Sequence, residues 1–78
     1  MTKAQTGENF RWDLFLRDYR AYLNRQVRTL KETGHEMNVH PSVLSCLRSG
    51  THKKVGRVTL DRILKGMGMY YEFYCEQT

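Results

Sequence analysis

Between Thr29 and Gly50 the chain reads TLKETGHEMNVHPSVLSCLRSG, and its start and stop signals lie too close together for long elements. Thr29 followed three residues later by Glu32 is a capping-box pair, in which hydroxyl and carboxylate each take a backbone N–H. A helix is therefore expected from about Leu30. Asn38 tolerates positive φ and is a natural residue for leaving that helix. Pro41 lacks an N–H where a first helical turn has no use for one, and it holds His40 extended. The next helix runs from there to about Arg48 and stops at Ser49-Gly50. Two short helices and a tight turn are what this stretch can form.

Around that unit the periodicity is helical until the end. Phe10, Trp12, Phe15, Leu16, Tyr19, Tyr22 and Leu23 recur at spacings of three and four, giving a first helix with one broad apolar face. Asn9 suits its N-cap, and Asp13 and Arg17 form an i,i+4 pair in the favourable order. A fourth helix is expected from Val58 or Thr59, carrying Leu60, Ile63, Leu64 and Met67 inward and ended by Gly66 and Gly68. From Met69 to Glu76 the period changes: Tyr71, Phe73 and Cys75 alternate with Glu72, Tyr74 and Glu76, which predicts a strand. Residues 1–8 read as a flexible tail, 9–68 as the helical domain and 69–78 as a terminal strand segment.

The chain has 78 residues, a single small domain that buries about 60–65% of the surface its unfolded form exposes. Its two cysteines, Cys46 and Cys75, make no disulfide framework and no C-x-x-C pair. No apolar run reaches the length of a membrane span or a signal-peptide core. A reduced, cytoplasmic protein is the expectation.

The net charge of +5 is concentrated over the middle of the chain. From Arg25 to Lys65 nine Lys/Arg stand against three acids, Glu32, Glu36 and Asp61, so that the flanks are slightly acidic. A basic excess over a candidate motif points to a polyanionic partner.

In the two-helix unit Leu30, Met37, Val39, Leu44 and Leu47 can meet in one core, and Gly34 lies where the helices approach. Ser42, Cys46 and Ser49 fall at i, i+4 and i+7, on a stripe opposite Leu44 and Leu47. A basic loop, Thr51-His52-Lys53-Lys54-Val55-Gly56-Arg57, follows at once. A helical hairpin with a solvated polar face would look similar. The adjoining basic loop favours duplex DNA, where phosphate contacts hold a helix in place and side chains meet base edges. Ser42, Val43, Cys46 and Ser49 are the expected base contacts. Thr29, Lys31, Arg48, Thr51, Lys53, Lys54 and Arg57 are the expected phosphate contacts.

The pattern resembles the XRE (Cro/C1-type) helix-turn-helix family. Val39-His40-Pro41-Ser42-Val43-Leu44-Ser45 looks like its G-V-s-x-x-x-[IVL]-S core, and Leu47-Arg48-Ser49-Gly50 like the L-x-x-G that closes its recognition helix. Val58-Thr59-Leu60-Asp61-Arg62-Ile63-Leu64 with Met67-Gly68 resembles the fourth helix of HigA-like and HipB-like repressors. The resemblance covers the chain from about Val27 onward. It implies a lambda-repressor-like, mainly α domain of four to five helices, and a C-terminal strand that pairs across a homodimer through Tyr71, Phe73 and Cys75. Asn38 stands where the family has Gly, Leu30 where it has Gln, and Thr33-Gly34 where it has an apolar-Ala pair, a change expected to loosen the first helix of the motif.

Other constellations carry less. His35 and His40 flank a run that invites comparison with zinc-peptidase H-E-x-x-H, but they are five residues apart, about 140° around a helix instead of about 40°. Cys46 has no orienting third group that would complete a nucleophile pair with His40 or His52. Gly66-Met67-Gly68 is helix termination, and a lone aromatic strand makes no base-stacking platform. No metal, cofactor or catalytic set is expected. The expected function is a dimeric, sequence-specific DNA-binding transcriptional repressor that reads a palindromic operator through the helix at 41–49. The alternative is an antitoxin-type module that binds and neutralises a toxin protein, with DNA binding for autoregulation, favoured if Phe10, Trp12 and Phe15 are not all consumed by the core.

Overall fold

The computed structural model describes residues 9–75; the expected tail at 1–8 and the end of the expected strand at Glu76 lie outside them. Four α-helices follow one another, α1 (Trp12–Arg25), α2 (Leu30–Met37), α3 (Pro41–Ser49) and α4 (Arg57–Met67), with a 3-10 turn at Tyr71–Tyr74. The described residues are mainly helical, and none of these helices is long and apolar enough to cross a membrane.

Local chemistry sets the middle helices. The Thr29 hydroxyl accepts the Glu32 N–H at 3.2 Å, and the Glu32 carboxylate accepts the Thr29 N–H at 2.9 Å, completing the capping box. Asn38 closes α2 in the left-handed region at φ 59°. His40 is extended, Pro41 opens α3, and Gly50 ends it at φ 89°. Gly34 is required for the approach of α2 to the start of α3, since a Cβ there would lie 2.5 Å from the Val39 carbonyl oxygen.

Thr33 is tied into α2 and to the chain before it. It is fully buried, and its hydroxyl donates to the Thr29 carbonyl at 3.0 Å while accepting from the Gln26 amide at 2.6 Å. A buried hydroxyl with both roles filled carries little desolvation penalty. Gln26 therefore ties the α1–α2 connection to the middle of α2.

α1 buries Phe15, Leu16, Tyr19 and Leu23, as the periodicity indicates. Its start differs from the expectation. The N-cap is Arg11, without a side-chain cap, and Asn9 lies in a preceding turn. Asp13 pairs with Arg11 at 3.1 Å and Arg17 with Asp18 at 3.2 Å, in place of the expected Asp13–Arg17 pair. The Arg11 bond holds the Asp13 carboxyl below its ordinary range. Phe10 is drawn into the core, which leaves its neighbour Arg11 at the helix start.

α4 begins at Arg57, a residue or two before the expected start, and Gly68 alone ends it, at φ 75°. Gly66 lies inside the helix. A Cβ there would fall 2.6 Å from Met37 Cγ, so this glycine makes room for the Met37 side chain between α2 and α4.

The C-terminal segment is the largest departure. In place of a strand with Tyr71, Phe73 and Cys75 inward, Tyr71–Tyr74 is a 3-10 turn that buries Tyr74 to 3% exposure and leaves Phe73 59% exposed. Its hydrogen bonds close within the chain: Cys75 bridges Phe10 antiparallel, and the Arg11 N–H donates to the Tyr74 carbonyl at 2.6 Å. The Tyr74 hydroxyl reaches Asp18 at 2.8 Å on α1. Phe10 stacks on Tyr71 with ring centroids 4.9 Å apart. Among the described residues the segment's bridge is to Phe10 of the same chain, and no pairing across a dimer is shown.

Candidate nucleic-acid interface

α3 presents two unlike faces. Leu44 and Leu47 are fully buried, while Ser42, Ser45 and Ser49 are exposed. Val43 and Cys46 lie at the edges, half-buried, and Val43 packs against the core. Of the four expected base contacts, Ser42 and Ser49 therefore stand on the outer face and Val43 and Cys46 flank it. Ser45 is missing from the sequence-based set. It lies three residues from Ser42 and four from Ser49, so a stripe drawn through all three serines would have included it.

The helix is braced from two neighbours. From α1, the Tyr19 hydroxyl donates to the Leu44 carbonyl at 2.7 Å, and the Arg20 guanidinium to the Arg48 carbonyl at 3.1 Å. From α4, Arg62 donates to the Asn38 carbonyl at 3.2 Å, holding the turn before α3. Burial pushes the Tyr19 phenol well above its ordinary value of about 10. Arg20 also adds a cation beside the end of α3, where positive charge complements the helix dipole. No local spacing reveals this role, because Arg20 and Arg48 are brought together by packing across 28 positions.

Ser42 and Ser49 differ in how they are engaged. Ser42 Oγ lies 2.8 Å from His40 Nδ1, which also accepts the Ser42 N–H at 3.1 Å and so caps the helix. Ser49 Oγ donates back to the Cys46 carbonyl at 3.3 Å and lies 3.0 Å from the Thr51 hydroxyl. The His52 N–H donates to the Cys46 carbonyl at 3.1 Å, turning the chain from α3 into the basic loop.

The expected phosphate contacts divide into two groups. Lys31, Arg48, Thr51, Lys53 and Lys54 are exposed, and among the described residues neither Lys53 nor Lys54 enters an ion pair. Thr29 and Arg57 are engaged in structure. The Thr29 side chain caps α2. Arg57 pairs with Asp61 at 3.0 Å and lies 3.6 Å over the Tyr71 ring, which joins α4 to the C-terminal turn. The Asp61 hydrogen bond raises its already high pKa. Arg28 is likewise held by Glu36. A shallow concavity beside α2, lined by Arg28, Lys31, His35, Asn38, His40 and Pro41 among others, adjoins the start of α3.

Cys46 and Cys75 are free and half-buried. The arrangement offers a short helix with a small polar outer face, seated between a basic loop and a braced turn. Its exposed serine hydroxyls are available for hydrogen bonding. Comparison with family models, curated proteins and solved structures finds no match for this chain.

Proposed function

We propose that this protein is a sequence-specific duplex-DNA-binding repressor of helix-turn-helix type, with α3 entering the major groove. The observation that carries this reading is the outer face of α3: Ser42, Ser45 and Ser49 are exposed, and the exposed Lys53 and Lys54 follow in the next loop. Small side chains let a helix sit close to base edges, while cations beside it meet phosphates. Specificity then comes from few direct contacts supplemented by DNA shape.

Repression follows by occlusion, since a domain of this size covers a promoter without further chemistry. Two copies on a palindromic site would set their recognition helices about 34 Å apart, one turn of DNA. Such a homodimer is part of the proposal, and the intrachain pairing of Cys75 with Phe10 leaves its surface to be mapped. For the toxin-binding alternative, Phe10 and Phe15 are buried in the core, whereas Trp12 is only partly covered and remains available to a protein partner.

Selection of bound sequences from random duplex DNA tests the proposal. Enrichment of a palindrome, with two chains per site and affinity that falls steeply with salt, is the expected result. Binding that ignores both sequence and salt, or no binding, overturns it.

A further inference from the structure

We infer that His40 fixes the hydrogen-bond polarity of Ser42, making it an acceptor toward DNA and hence a reader of adenine or cytosine. This deepens the DNA-binding reading and rests on it, assigning the base class met by one side chain.

Backbone geometry comes first. The Ser42 N–H lies 3.1 Å from His40 Nδ1 in donor geometry, and a backbone N–H can only donate. Nδ1 must therefore carry a lone pair, so the ring proton of neutral His40 sits on Nε2. The Ser42 hydroxyl lies 2.8 Å from the same nitrogen. With Nδ1 unprotonated, that contact forms only if the hydroxyl donates, sharing the one in-plane lone pair of Nδ1 with the Ser42 N–H. The single O–H of Ser42 is thus directed back at its own helix cap, and the oxygen lone pairs are what remain to face outward.

That polarity matters because a free serine is an ambiguous reader, able to donate to one base and accept from another. In the major groove adenine N6 and cytosine N4 present donors, whereas guanine O6 and N7 and thymine O4 accept. A Ser42 held as acceptor bonds to the first pair and leaves lone pair against lone pair with the second. Ser42 is exposed in the first turn of α3, where recognition helices meet base edges. Ser49 is unlike it, since its hydroxyl is shared between the Cys46 carbonyl and Thr51. His40 is accordingly a positioning residue that acts through Ser42.

The test is selection from random duplex DNA by the wild-type chain and by S42A, H40A and H40N. Wild type should enrich adenine or cytosine at one position of each half-site, by roughly five-fold over guanine or thymine, as a single hydrogen bond allows. S42A should lose that preference there and keep the rest of the site. H40A should also relax the position, because the freed hydroxyl can then donate to guanine or thymine. The H40N substitution supplies a side-chain oxygen that caps the helix and accepts the Ser42 proton, so this variant should restore the preference. Guanine or thymine at the position that S42A relaxes, no position that S42A relaxes, or an H40A preference equal to wild type would each overturn the inference while leaving DNA binding intact. Failure of the wild-type chain to enrich any sequence overturns both readings.

Discussion

The Tyr19 hydroxyl donates a 2.7 Å hydrogen bond to the Leu44 carbonyl, joining the centre of α1 to the centre of α3. Both side chains are fully buried, so the bond forms where water cannot replace it. The phenol thus shares with Arg20 the task of orienting the candidate recognition helix against α1. Tyr19→Phe keeps the ring and removes the bond. It should cost about 1 kcal/mol and lower the melting temperature by about 4–8 °C, measured by calorimetry.

The same phenol makes the fold sensitive to alkali. Burial raises the Tyr19 pKa above its ordinary value of about 10, and burial followed by the Asp18 hydrogen bond does the same for Tyr74. In both cases the folded state holds the proton more tightly than the unfolded state. The stabilisation is complete below about pH 10 and is lost as pH rises toward the folded values. Unfolding free energies from urea titrations should fall above that pH, with a slope approaching ~1.4 kcal/mol per pH unit for each tyrosine. Tyr19→Phe should flatten the decline.

Two glycines inside helices should respond differently to alanine. At Gly34 the added methyl meets the Val39 carbonyl, which is backbone and cannot move without shifting α3. At Gly66 it meets the Met37 side chain, a flexible neighbour. Alanine contributes about 1 kcal/mol of helix propensity at either site, and overpacking costs about 1–3 kcal/mol. Gly34→Ala should therefore destabilise clearly, while Gly66→Ala should fall within about 1 kcal/mol of wild type in chemical denaturation.

Neighbouring aromatics at the C-terminus separate a turn from a strand. With Tyr74 buried and Phe73 largely exposed, Tyr74→Ala should cost about 3–5 kcal/mol and Phe73→Ala under about 1 kcal/mol. A strand with Phe73 inward reverses that order, and thermal melts of the two variants distinguish them.

The loop cations should divide by role. Lys53→Ala and Lys54→Ala should leave stability unchanged, weaken binding to all sequences alike, and each reduce the salt slope by about 1. Arg57→Ala should instead lower the melting temperature, because Arg57 bridges Asp61 and the Tyr71 ring. Salt-titrated binding with parallel melts checks both.

What the sequence by itself determined is what lies within a few residues along the chain. Thr29 and Glu32, Asn38, Pro41 and Gly50 set the ends of α2 and α3 because caps and turns close hydrogen bonds over three to five positions. The spacing of Leu44 and Leu47 likewise identified the buried side of α3. Tertiary structure alone decided the rest. Alternation from Met69 onward fits a strand, yet a strand needs a neighbour along its length. Among the described residues the chain supplies only Phe10 opposite Cys75, so the segment coils and buries Tyr74. The acceptor role inferred for Ser42 required His40 Nδ1 to be seen at bonding distance. Arg20 at the end of α3, Arg57 over Tyr71 and Met37 against Gly66 each join positions far apart in sequence, and no local period encodes such pairs.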